Sequence, residues 1–277
     1  MRLIWQLIMG MMVFGLAQVV NGKETAFKVC ADPVNPPLST RDEAGFENKI
    51  AHLLADELGQ KIAYTWFPQR IGFLRNTLKA KDPKTGEYKC DVVMGVPAGY
   101  ELAATTKPYY RSTYVLVVAK GRGFDDIHKP EQLFELPAER KVQLKIAMFD
   151  RTPGVTWLLR HQLLKQGRTY QSMSGDPNIN TAMRLDKEFS NDNINMAVVW
   201  GPIGAYLAWK HPENYELIPL KSEKGIRFDY AIAMAVRRGD KERQKMLQEL
   251  IDQKHAEIDA VLNQYHIPLV DKEGNPI

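Results

Sequence analysis

Between Phe27 and Ala119 the chain switches repeatedly between a two-residue and a 3.6-residue hydrophobic period. Phe27–Ala31, Ile62–Trp66, Cys90–Met94 and the apolar run Tyr114–Ala119 read as strands, with breaks at Asp32-Pro33, Pro36-Pro37 and Gly95. Phe46, Ile50, Leu53, Leu54 and Leu58 share one helical face, and Gly59 can take the left-handed conformation that ends a helix. A further helix is expected through Leu74 and Leu78. Strands alternating with helices predict an α/β fold with a mainly parallel sheet, because parallel neighbours need a crossover between them.

The pattern then repeats. Gln143–Phe149 reads as a strand, and Thr152-Pro153 is a strong helix start, with an N-cap hydroxyl and a proline at the first helical position. Asp176-Pro177 gives a similar signal for another helix, with Ile179 and Met183 facing inward. Met196–Trp200 is a buried strand stopped by Gly201-Pro202, and a helix closes over Tyr206–Trp209. Phe228–Val236 is again a strand, and Leu247, Leu250, Ile251, Ile258, Val261, Leu262 and Tyr265 line one long amphipathic helix.

The first 22 residues have the form of a secretory signal: Arg2, an apolar run from Leu3 to Ala17, and small residues before Lys23. A periplasmic location and no membrane span after its removal are expected. The net charge of +4 is interspersed, so no clustered basic face suggests nucleic acid. After export two cysteines remain, Cys30 and Cys90. An oxidising compartment invites a disulfide, whereas one cysteine near a strand end and the other at a strand start favours two buried thiols.

The sequence holds no nucleophile elbow, phosphate loop, zinc-binding helix or dinucleotide fingerprint, and its six histidines are scattered. No catalytic residue, cofactor or metal is expected. Ligands of open α/β sheets bind beyond the carboxyl ends of the strands. The candidate cleft residues are therefore Asp32, Pro37, Trp66, Phe67, Gln69, Arg70, Pro97, Tyr110, Arg111, Arg151, Thr152, Trp200 and Pro202. Arg70, Arg111, Arg151 and Thr152 could supply polar groups. Trp66, Phe67 and Trp200 could equally fill the core, since aromatics dominate cores. An enzymatic alternative would lean on Asp32 or Asp150 as acid or base.

The order of elements over residues 27–266 resembles the two-lobed (type II) periplasmic solute-binding proteins. The resemblance implies lobe one from residues 23–114 plus 226–277 and lobe two from 115–225, with crossings near Arg111–Val115 and Lys224–Phe228. Amino-acid-binding members carry an Arg beyond the third strand and an Asp after the last strand of lobe two. Here those stretches read Gly95-Val96-Pro97-Ala98-Gly99-Tyr100-Glu101-Leu102 and Trp200-Gly201-Pro202, so both ionic anchors are missing. Gly45–Ala51, Tyr64–Arg70, Asn76–Leu78, Cys90–Tyr100 and Pro108–Tyr114 are similar to the MxaJ/XoxJ-type binding proteins that accompany quinoprotein methanol dehydrogenases. That resemblance implies a monomeric periplasmic accessory whose apolar interlobe cleft meets a PQQ-dependent dehydrogenase. The alternative is the receptor of an importer for a small organic solute other than an amino acid.

Overall fold

The structure, a computed structural model, describes residues 26–173 and 176–277 of the chain. The expected signal segment lies outside the described residues. The first half contains β1 (Phe27–Ala31), β2 (Val34–Asn35), β3 (Ser39–Thr40), α1 (Phe46–Glu57), β4 (Ile62–Trp66), α2 (Phe73–Asn76), β5 (Val92–Pro97), β6 (Ala104–Thr105) and β7 (Tyr110–Ala119). Next come α3 (Pro130–Glu135), α4 (Ala138–Lys141), β8 (Ile146–Phe149), α5 (Pro153–Arg160), β9 (Gly167–Tyr170), α6 (Thr181–Ser190), β10 (Met196–Trp200), α7 (Gly201–Lys210) and β11 (Tyr215–Pro219). The chain closes with β12 (Asp229–Val236), α8 (Lys241–Gln253) and α9 (His255–Gln264).

Strand order runs β4-β1-β5-β12-β7-β10-β8-β9, with β11 on β7 and β6 on β12. β1, β4 and β5 are parallel, as are β8, β9 and β10. β7 joins the two halves. Its residues Tyr110–Thr113 pair with β12, whereas Tyr114–Val118 pair with β10. The returning chain is fastened to the same point: Leu220 donates its N–H to the Tyr114 carbonyl, and Tyr114 donates its own to Phe228. The two crossings expected from sequence therefore coincide with the place where β7 changes partners.

Each half has helices on both sheet faces, hence two cores. In the first half α1, α8 and α9 cover one face through Phe46, Ile50, Leu54, Leu247 and Leu262. Phe73, Leu78, Val93 and Val96 fill the other. In the second half Trp157, Leu158 and Phe228 pack on one face, and Leu185, Phe189 and Leu207 on the other. Each fully buried side chain of this kind stabilises the fold by roughly 1.5–3 kcal/mol before entropy is counted.

Three expectations need correction. Cys30 and Cys90 are joined in a disulfide, with Cα atoms 5.4 Å apart, so the reading as two free thiols is overturned. The parallel pairing of β1 with β5 brings the segment just before β5 alongside β1, where Asp91 N–H donates to the Lys28 carbonyl. Ile179 and Met183 do not point inward; they are 39% and 43% exposed, and α6 starts only at Thr181, with Asn180 as its N-cap. The strand Met196–Trp200 does stop before Gly201-Pro202, which opens α7. The long C-terminal helix is two helices broken at Lys254, whose ammonium pairs with Glu57 and Glu257.

Candidate functional site

The three strands that meet at the crossover each contribute a ring to one cavity. Tyr114 is the first residue of β7 beyond the partner change, Trp200 ends β10 directly opposite it in register, and Tyr230 lies near the start of β12. Tyr114 and Trp200 are 5.6 Å apart at 64°, and Trp200 and Tyr230 are 5.9 Å apart at 73°. These are edge-to-face contacts, which the ring quadrupoles favour. With Tyr110, Leu38, Val96, Pro97 and Ile232 they line an open cavity of about 360 Å³. Tyr110 is held from behind by Phe46, edge-on at 6.1 Å.

One carboxyl group shares this lining. Glu47, in the first turn of α1, is only 8% exposed, and its Oε1 has no hydrogen-bond partner. Burial, reinforced by the nearby Asp32, pushes its carboxyl up to about 8. It is accommodated because Gly95 has no side chain: a Cβ there would overlap Oε1. None of the residues lining the cavity is basic.

The cavity opens past Gln69, Val96 and Pro97 onto a wider groove of about 510 Å³. Its walls include Ile71, 80% exposed, and Leu102 and Met173. A polar mouth lies on the other side of Gln69, where Asp32, Asn35 and Arg70 face Ser172, Asn180 and Thr181 of the second half. Asn180 bridges the halves there. Its Oδ1 caps α6 by accepting from Met183 N–H, and its Nδ2 donates to the Val34 carbonyl at 2.8 Å.

The sequence-derived candidates divide into three groups. Gln69, Pro97, Tyr110 and Trp200 line the ringed cavity. Asp32 and Arg70 stand at the polar mouth, where Asp32 also shapes the loops by accepting from Val34 N–H and Gln69 N–H. Pro37 lines a separate groove beside Trp209 and Tyr265. The others are placed elsewhere. Trp66 stacks on Tyr64 at 4.4 Å against the first core, and Phe67 packs against the core around the disulfide. Arg111 is tied to Asp229 across the β7–β12 pair at 2.5 Å. Arg151 points toward Asp150 beside α5, Thr152 donates its hydroxyl to the Phe149 carbonyl as that helix begins, and Pro202 is buried in the first turn of α7. Sequence reasoning missed Glu47, Tyr114, Tyr230 and Asn180. Glu47 reads as an ordinary acid at a helix start, and the two tyrosines as strand fillers; only the crossover of β7 brings them together.

No protein-family model matches the chain. It is 27% identical to the protein MoxJ of Paracoccus denitrificans over 272 residues, covering 94% of this chain and 95% of that protein. The crystal structure of the periplasmic binding protein XoxJ from Methylobacterium extorquens AM1 is 29% identical, with a TM-score of 0.69 over 89% of this chain and 100% of that one. MxaJ from Methlophaga aminisulfidivorans MPT is 24% identical, with a TM-score of 0.71 over 88% of this chain and 100% of that one, and supports the fold alone. The two-lobed periplasmic-binding-protein architecture read from the sequence is thus the architecture of the structure.

Proposed function

We propose that this chain, a homologue of the MoxJ, MxaJ and XoxJ binding proteins, is an exported accessory of a quinoprotein alcohol dehydrogenase and takes a segment of that enzyme between its lobes. Lobe one comprises residues 23–114 and 226–277, and lobe two residues 115–225. The observation that carries the reading is the continuity of the ringed cavity with an exposed apolar groove. Ile71, Leu102 and Met173 present aliphatic surface to water on the rim of an opening walled by Tyr110, Trp200 and Pro97. Exposed apolar patches of this kind mark sites of protein association, and buried aromatics concentrate the energy of such contacts. Among the described residues no three His, Cys, Asp or Glu side chains could together hold a metal ion, and no helix is long and apolar enough to cross a membrane. The likeness to periplasmic binding proteins supports a binding role rather than turnover, and a periplasmic location.

The test is capture of the purified dehydrogenase by the wild-type chain and by Trp200→Ala. Loss of a large interface aromatic costs about 2 kcal/mol or more, so retention should fall roughly thirtyfold. Unchanged capture and activation by a folded Trp200→Ala chain would exclude the cavity as the contact.

A further inference from the structure

We propose that the ringed cavity is a binding site for an organic ammonium group, with Glu47 as counter-ion and Tyr110, Tyr114, Trp200 and Tyr230 as walls. The site is inferred from its own chemistry and stands whether or not a dehydrogenase segment docks between the lobes.

The first argument is the isolation of Glu47. Burying a carboxyl is costly unless it is paired or hydrogen-bonded. Here Oε1 has neither, no basic residue lines the cavity, and the neighbouring carboxyl, Asp32, already accepts two backbone N–H groups. The glycine at position 95 leaves the room this carboxyl occupies. Oε1 is thus left without a protein partner, which a ligand in the cavity can supply.

The second argument is the kind of wall. Tyr and Trp faces attract cations, most strongly ones that shed water easily, such as alkylated ammonium groups. Tyr230 accepts a cation in this way already, since the Arg227 guanidinium lies 4.8 Å from its centroid. A bare metal ion would need about six oxygen ligands, and the rings offer none of that density. An anionic ligand would meet Glu47 with no base to balance it. About 360 Å³ falls within the usual range for small-molecule pockets.

A cation in the cavity stabilises the ionised form of Glu47, so binding should release a proton. Burial pushes the Tyr64 phenol on β4 up to about 12, and the phenols of Tyr110 at the start of β7 and of Tyr109 just before it well above the usual range. Asp32 faces Glu47 from the end of β1. Among the groups that burial pushes up here, Glu47, held at about 8, is the one that changes charge near neutrality.

The ammonium could arrive as a free solute or as a lysine side chain on a partner segment. Calorimetric titration of the mature chain with choline, with Nα-acetyl-lysine methylamide and with the uncharged choline isostere 3,3-dimethylbutan-1-ol separates these sources. At least one cation should bind about tenfold or more tighter than the alcohol, and its affinity should rise severalfold between about pH 6 and about pH 8.5. Choline binding alone points to a free solute, and binding of the lysine analogue to a side chain. Glu47→Gln, which keeps the shape, should weaken the cation about tenfold, as should Trp200→Leu, with the melting curve confirming the fold of each. The proposal is overturned if neither cation saturates the site by about 10 mM, if the alcohol binds as well, or if Glu47→Gln keeps full affinity.

Discussion

Glu47 and Gly95 form a pair that makes sense only together. The glycine gives up a side chain so that a carboxyl can lie where water cannot solvate it. The unfolded chain ionises that carboxyl near its ordinary value of 4.5, while the folded chain holds its proton until about pH 8. Between those values the unfolded state binds fewer protons, so stability falls as pH rises and the full penalty is present above about 8. Glu47→Gln should therefore leave thermal stability nearly unchanged at about pH 4.5 and raise it by a few kcal/mol at about pH 8.5. Scanning calorimetry of both chains at the two pH values checks this, and an equal gain at both would contradict it. Gly95→Ala should act oppositely, costing roughly 1–3 kcal/mol as the new methyl drives Glu47 from its place. Neither effect was legible in the sequence. An acid in the first turn of a helix is ordinarily an exposed complement to the helix dipole.

At the scale of elements, what could be read depended on whether local pattern and tertiary environment agreed. Met196–Trp200 was legible to the residue, because a strand covered on both faces is apolar without interruption. The early part of β7, Tyr110-Arg111-Ser112-Thr113, was not, because its polar side chains are satisfied only by the returning chain. Arg111 pairs with Asp229, Ser112 donates to the Pro268 carbonyl and Thr113 to the Leu220 carbonyl. β9 escaped as a short strand at the sheet edge with exposed Arg168 and Thr169. The break at Lys254 was invisible because α8 and α9 keep their apolar faces in phase. Of the candidate site, the strand-end rule located Tyr110, Trp200, Pro97 and Gln69 but over-collected arginines that serve as local braces. The disulfide belongs to this scale too. It fastens β1 to the start of β5 across a separation of 60 residues, under a core that also holds Leu78 and Phe73. Closing a loop of that length contributes about 4 kcal/mol in the chain-entropy model. Replacing both cysteines by alanine should lower the midpoint of thermal unfolding by roughly 10 °C. A shift of only a degree or two would mean that the denatured chain is already compact there.

At the scale of the molecule, the two lobes share one strand rather than a flexible tether, so relative motion must be absorbed where β7 changes partners, between Thr113 and Tyr114, and where the chain returns near Leu220 to Phe228. A hinge at that point would lie directly beneath Tyr114, Trp200 and Tyr230, and any opening of the lobes would re-space those rings. The far rim is held differently. Asn180 reaches across to the Val34 carbonyl with the same side chain that caps α6. Removing it withdraws one bond across the gap and one helix cap, together about 1–2 kcal/mol. The lobes gain or lose that rim contact as a unit, so loss of the cross-gap bond alone, about 1 kcal/mol, shifts an open-to-closed ratio by roughly fivefold. Asn180→Ala should therefore expand the molecule in small-angle scattering, while Asn180→Asp, which keeps the cap acceptor but loses the donor, should expand it equally and melt at a higher temperature than the alanine chain. An unchanged scattering profile for both would show that the hinge alone fixes the angle between the lobes and that Asn180 merely caps its helix.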